Sequence, residues 1–280
     1  MENEQKLKEL VRQKYSEIAL QDKEENQASC CGATCCSTEV YNIMSDDYAE
    51  LNGYNPEADL GLGCGLPAQF AKIKKGDVVI DLGSGAGNDA FIARAESGET
   101  GKVIGVDFSE AMLNKARTNA DKLGFNNVEF RFGDIENMPV TANTADVIVS
   151  NCVLNLVPNK DAVLKEIYRV LKPGGHFSIS DIVLIGKLPE GLQKSAEMYS
   201  GCISGAIQKE GYLELIRKNG FENLTVQKEK VISLPTDILK EHLSDEELAQ
   251  FQSGGAGIFS ITAYAEKPVA VKACCESGCC

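Results

Sequence analysis

The chain has 280 residues, 43% hydrophobic and 25% charged, with a formal net charge of −13. This is ordinary globular composition, enough for one large domain and a smaller one, and the acidic surplus argues against nucleic acid and anionic membranes as partners. No stretch approaches the roughly 20 apolar residues of a membrane span, and Met-Glu-Asn-Glu-Gln-Lys at the N-terminus lacks the apolar segment of a secretion signal, so a cytoplasmic location is expected.

Leu7, Leu10, Val11, Tyr15 and Ile18 recur at three- and four-residue spacing and predict an amphipathic helix over 3–19. A Ser/Gly/Thr-rich loop with Cys30, Cys31, Cys35 and Cys36 follows. Asn52-Gly53-Tyr54-Asn55-Pro56 is turn chemistry, and Leu60 to Pro67 is too glycine-rich for helix or strand. Glycines on both sides of Cys64 are expected to let the backbone approach a ligand closely.

From residue 77 strands and helices alternate. Strands are predicted at 78–82, 102–107, 128–132 and 146–151, with a helix near 88–97. Ser109 is expected to cap the next helix and Gly124 to stop it. Asp161 opens another helix, and Lys172-Pro173-Gly174-Gly175 turns the chain into a strand over 176–184. Repeated units of this length predict a doubly wound α/β domain with a mostly parallel sheet. Beyond Pro189, helices near 190–200 and 208–219 precede strands near 224–233 and 258–266. Those strands either complete the sheet or form a smaller C-terminal lobe.

Asp81-Leu82-Gly83-Ser84-Gly85-Ala86-Gly87 follows the first strand and opens a helix, whose N-terminus favours an anionic group of a nucleotide-type ligand. The spacing G-x-G-x-G differs from the dinucleotide fingerprint. Asp107 ends the next strand, where an acid can accept from both ribose hydroxyls. Asp134, after the third strand, is placed to accept from an adenine amino group.

Eleven cysteines in a reducing compartment call for a role other than structural disulfides. Cys64, Cys152 and Cys202 stand alone; Cys274, Cys275, Cys279 and Cys280 end the sequence. Clustered pairs suit capture of a soft metal or metalloid, or a redox-buffer role. Cys152 directly follows the strand Val147-Ile148-Val149-Ser150-Asn151, at the strand end where open α/β sheets bind ligands.

The glycine loop, Gly105-Val106-Asp107, Gly133-Asp134-Ile135-Glu136 and Leu171-Lys172-Pro173-Gly174-Gly175 resemble the successive motifs of class I S-adenosylmethionine-dependent methyltransferases. The resemblance covers about residues 60–185. It implies S-adenosylmethionine as cofactor, lined by Asp81, Gly83, Gly85, Asp107, Asp134, Ile135 and Asn151. Leu62-Gly63-Cys64-Gly65-Leu66-Pro67, Ser150-Asn151-Cys152-Val153-Leu154-Asn155-Leu156 and Tyr199-Ser200-Gly201-Cys202-Ile203-Ser204-Gly205-Ala206 are similar, more narrowly, to arsenite methyltransferases. That resemblance implies trivalent arsenic held by Cys64, Cys152 and Cys202. It also implies a fourth, redox-active cysteine, for which Cys36 competes with Cys30, Cys31 and Cys35.

The chemistry fits soft ligands on a soft centre. Three thiolates would leave the arsenic lone pair free as nucleophile, so no general base is needed. His176 and His242 have no catalytic-looking setting. Two cysteines could return pentavalent product to the trivalent state as a disulfide, cleared by thioredoxin or glutathione. The expected partition is an N-terminal helix and cysteine-rich segment (1–55), a methyltransferase core (56–187), a C-terminal arsenic-site lobe (188–268) and a cysteine-rich tail (269–280). The rivals are a small-molecule C- or O-methyltransferase and a non-enzymatic metalloid-sequestering protein.

Overall fold

The computed structural model describes residues 2–21, 46–187, 189–194, 205–234, 236–253 and 256–269. Cys202 and both terminal cysteine clusters, Cys36 included, lie outside them.

Five β-branched segments form a parallel sheet. They are β1 (Val78–Leu82), β2 (Lys102–Asp107), β3 (Val128–Phe132), β4 (Ala145–Asn151) and β5 (Leu171–Ile185), and they lie in the order β3-β2-β1-β4-β5. Alternate side chains face opposite ways. Val79, Val103 and Val147 pack with Phe91 of α3 (Asn88–Ser97) and with Met112, Leu113 and Ala116 of α4 (Glu110–Leu123). Ile80, Ile104 and Ile148 pack on the other face. Their partners are Val163 and Ile167 of α5 (Lys160–Val170) and Tyr212 and Ile216 of α7 (Lys209–Lys218). Both faces are covered, as buried parallel strands require.

Local chemistry sets the helix ends. Ser109 Oγ accepts the Met112 N–H at 3.4 Å, and Gly124 closes α4 in the left-handed conformation at φ +67°. α5 begins one residue earlier than Asp161: Asn159 is its cap, accepting the Ala162 N–H at 3.0 Å. Asp161 falls in the first turn and pairs with Lys165 at 2.6 Å. Both acids and amides cap helices, and only Asn159 lies at the capping distance from the first free N–H groups.

The C-terminal strands complete the sheet. β7 (Gly257–Glu266) runs antiparallel beside β5 from His176↔Glu266 to Ile185↔Gly257. β6 (Glu222–Ile232) pairs antiparallel with β7 on its far side. Among the described residues the order is therefore β3-β2-β1-β4-β5-β7-β6. The remaining C-terminal pieces are the short helices α6 (Glu190–Lys194), α8 (Thr236–His242) and α9 (Asp245–Ser253). The buried Leu192, Leu239 and Leu248 of these helices, and Leu243 between α8 and α9, share one apolar cluster with Cys64 and Cys152.

The first helix, α1 (Glu2–Ile18), lies across the sheet's carboxyl edge, and the short α2 (Pro67–Phe70) follows the Cys64 loop. Val11 and Ile18 are buried, Tyr15 is half-buried and Leu10 is exposed. No helix of the described residues is long and apolar enough to cross a membrane.

Candidate active site

Strand order reverses between β1 and β4, and a cleft opens beyond their carboxyl ends, the switch point where such sheets bind ligands. It is open to solvent. Asp81, Gly83, Gly85, Asp107, Asn151 and Cys152 all line it. A contiguous recess is lined by Asp134, Ile135, Asp107 and Lys8. The seven residues expected to line a cofactor site thus converge around one continuous crevice.

The glycine loop is shaped by close approach. Gly83 (φ +65°) leaves room for Val153, whose side chain a Cβ would strike. Gly85 (φ +50°) faces open space, with only Met112 Sδ at 4.0 Å from where its Cβ would stand. Asp107 holds this loop: one carboxylate oxygen accepts the Gly85 N–H at 2.9 Å and the other the Ser109 N–H at 2.8 Å. Asp134 accepts from Lys8 Nζ at 2.6 Å and from the Glu136 N–H at 2.9 Å.

The crevice is built to receive positive charge and hydrogen-bond donors. Asp81 Oδ2, Ser84 Oγ, Asn88 Oδ1 and Asp89 Oδ1 are buried without a protein partner, and all four residues line the cleft. Such orphaned acceptors are costly unless a ligand meets them. Burial, then Asp89 and Asp107, push the Asp81 carboxyl well above the usual carboxylate range. Burial pushes Asp89 up to about 6, against hydrogen bonds from Asn151 and Tyr48. Asp107 is raised by burial, against the Ser109, Gly85 and Phe108 N–H groups. A cationic amino-acid nucleoside such as S-adenosylmethionine fits this donor-hungry, acid-lined space.

Cys152 follows β4 in the left-handed conformation, φ +60°, with its N–H donated to Ser180 O at 2.8 Å. The residue is 3% exposed and Cys64 is fully buried. The two belong to one packed cluster and both act electrostatically on the Tyr212 phenol, which burial and Asp181 hold well above its ordinary value. Leu192 and Ala206, on either side of the stretch containing Cys202, lie in that cluster too. Among the described residues no three His, Cys, Asp or Glu side chains are grouped as for a metal ion.

The glycines beside Cys64 allow close approach to protein side chains, and Gly63 also lines the cleft. A Cβ on Gly63 would stand 2.7 Å from Asn151 Nδ2, and one on Gly65 would strike the Ser180 hydroxyl. They let the loop press against protein side chains. The Cys64 N–H donates to Asn151 Oδ1 at 3.0 Å, and the Cys64 carbonyl accepts from Ser260 Oγ.

Tyr48, Asp89 and Lys8 are contributors that the sequence reading missed. Asp89 carried a signal, an acid in the first turn after the glycine loop. Tyr48 carried none, since its partners lie 17 residues or more away.

Comparison with known proteins agrees with this geometry. Residues 73–220 match the family model described as a methyltransferase domain. The chain is 36% identical to an arsenite methyltransferase of Halobacterium salinarum, over 93% of this chain and 66% of that protein. It is 32% identical to one of Aquipseudomonas alcaligenes, over 90% and 72%. It therefore spans about two thirds of these relatives' length. The crystal structure of an arsenic (III) S-adenosylmethionine methyltransferase from Chlamydomonas reinhardtii superposes with a TM-score of 0.62 at 35% identity, covering 74% of this chain and 68% of that one. With the sheet order, the acid-lined crevice and the cysteine at its rim, these likenesses show that the chain belongs to the arsenite methyltransferase family of class I S-adenosylmethionine-dependent methyltransferases.

Proposed function

We propose that the protein transfers a methyl group from S-adenosylmethionine to trivalent arsenic held by Cys64, Cys152 and Cys202, in arsenic detoxification. The observation that carries this reading is the burial of Cys64 and Cys152 in one cluster, with Cys152 also lining the cofactor crevice. The position of Ala206, four residues beyond Cys202, in the same cluster supports the third ligand.

S-adenosylmethionine supplies a methyl group on a positively charged sulfur. Asp81 and Asp107 bind and orient the nucleoside and amino-acid ends. Asp134 and Ile135 border the recess for its base. The thiols hold arsenic pyramidally, with the lone pair directed into the crevice. That lone pair becomes the new As–C bond, and the displaced sulfur leaves as the neutral thioether of S-adenosylhomocysteine. Orientation and exclusion of water are the protein's main contributions. Arsenic becomes formally pentavalent. Two thiols, Cys36 among the candidates, return it to the trivalent state while forming a disulfide, which a cellular thiol such as thioredoxin or glutathione reduces.

The test is incubation with arsenite, a thiol reductant and methyl-labelled cofactor, followed by mass spectrometry of arsenic species. Labelled methylarsenic confirms the reading. Cofactor binding with no arsenic product favours a small-molecule methyltransferase, and arsenite binding with no transfer favours sequestration.

A further inference from the structure

A hydrogen-bonded cage joins the cofactor crevice to the Cys64 loop. Its centre is the side-chain amide of Asn151, the last residue of β4. Asn151 Oδ1 accepts the Cys64 N–H at 3.0 Å, which fixes the amide's orientation. Asn151 Nδ2 donates to Gly65 O at 2.9 Å and to Asp89 Oδ2 at 3.0 Å, and also contacts the Tyr48 hydroxyl. Tyr48 Oη stands 2.9 Å from Gly65 O and 3.1 Å from Asp89 Oδ2. Two amide hydrogens and one phenol hydrogen thus meet two oxygens with lone pairs for all of them.

The Asp89 carboxylate is divided. Oδ2 belongs to the cage, while Oδ1 is buried without a protein partner in a residue that lines the crevice. A cation or donor bound there draws on the same carboxylate that holds Asn151, and Asn151 holds the backbone of both Cys64 and Gly65. A cation at Oδ1 keeps the carboxylate charged, and a charged acceptor holds its donors about twice as strongly as a neutral one.

We infer that Asp89, Asn151 and Tyr48 are positioning residues that couple the two substrates: a cofactor meeting Asp89 Oδ1 tightens the hold on the Cys64 loop, so each substrate raises the other's affinity. The inference rests on arsenic binding at Cys64 and Cys152. Coupling between binding sites is reciprocal and typically about 5- to 150-fold.

The experiment measures arsenite bound to the full-length reduced protein by equilibrium dialysis and elemental mass spectrometry, with and without saturating S-adenosylhomocysteine. Core-site binding is the portion that Cys152→Ser removes. In the wild type the nucleoside is expected to tighten core-site arsenite binding about fivefold or more. Asp89→Asn, which keeps the shape and an acceptor for Asn151, is expected to lose the enhancement even at nucleoside concentrations that calorimetry shows to saturate the variant. Asn151→Ala is expected to weaken arsenite binding about tenfold in both conditions, the cost of losing about 1.4 kcal/mol. If Asn151→Ala does not fold, Asp89→Asn alone decides. Wild-type arsenite binding indifferent to nucleoside, or full enhancement in Asp89→Asn, would overturn the coupling and leave the arsenic reading standing. No core-site arsenite binding at all would overturn both.

Discussion

Lys8 Nζ donates to Asp134 Oδ2 at 2.6 Å, joining residues 126 positions apart and fastening α1 across the recess bordered by Asp134 and Ile135. Lys8 also reaches Glu136, while Val11 and Tyr15 of the same helix line the main cleft. The first helix is therefore a wall of the crevice. The ion pair is partly solvated, its side chains 29% and 41% exposed, and such pairs contribute about 0–1 kcal/mol.

Lys8→Ala should consequently leave the melting temperature within about 2 °C of wild type, yet raise the cofactor dissociation rate several-fold. Stopped-flow displacement checks the rate and calorimetry the stability. An unchanged off-rate would mean that the helix opens and closes independently of this contact.

Cys152→Ser and Cys64→Ser should each lower methylarsenic formation by at least about a hundredfold, equivalent to 2.7 kcal/mol or more in transition-state stabilisation. Cofactor affinity should stay within about twofold, since the loop holding the nucleoside is tied by Asp107 and not by either thiol. Product assays and titration calorimetry on the same preparations check both halves.

Cofactor affinity should rise with pH between about 5.5 and 7.5. Asp89 is pushed up to about 6 by burial, and Asp81 is held well above the carboxylate range by burial and its acidic neighbours. A cation prefers them ionised, so binding releases protons and is favoured as pH rises, at most about tenfold per unit per proton released. S-adenosylhomocysteine, lacking the sulfonium charge, should show the smaller slope. Calorimetry in buffers of different ionisation enthalpy reads the protons directly; proton uptake would contradict the assignment.

Asp181→Asn should stabilise the protein at alkaline pH. Asp181 is fully buried, accepts from Tyr212 Oη at 3.2 Å and from the Asn155 N–H, and burial pushes it up to about 7. Its folded value lies above its unfolded one, so the folded state binds the extra proton. Its stabilising contribution is complete below about pH 4 and is lost as pH rises to about 7. Asparagine mimics the neutral acid. Variant and wild type should melt together near pH 4, with the variant a few degrees higher at pH 8. Thermal scans across that range check the divergence.

The strand and helix alternation from Val78 to Ile185 was legible because its signals are local. β-branched runs, the Ser109 cap and the Gly124 stop each act within a few residues. Legibility ended where partners are distant. An alternating pattern at 224–233 says that a strand exists but not which edge receives it. β6 joins the sheet only through β7, which follows it in the chain. Helices over 236–253 went unread because they are short and their apolar residues answer to the Cys64 cluster, not to a long stripe. In the site, Asp81, Asp107 and Asp134 announced themselves by position at or just beyond the carboxyl ends of strands. The clasp between Asn151 and Cys64 spans 87 residues and has no local signature. The glycines flanking Cys64 hinted at close packing, though not at what packs there.

The interior place of β7 shapes how the molecule must be made. β5 ends at Ile185, and its outer neighbour is finished only at Glu266. At ribosomal speeds of 5–20 residues per second, those 81 residues take about 4–16 s. Throughout that interval the newborn polypeptide carries a long, apolar, unzipped strand margin, open to pairing with a neighbouring copy. Poor recovery on overexpression would then reflect crowding of half-made sheets, and slower translation or an early-acting chaperone would relieve it without any change to the finished enzyme.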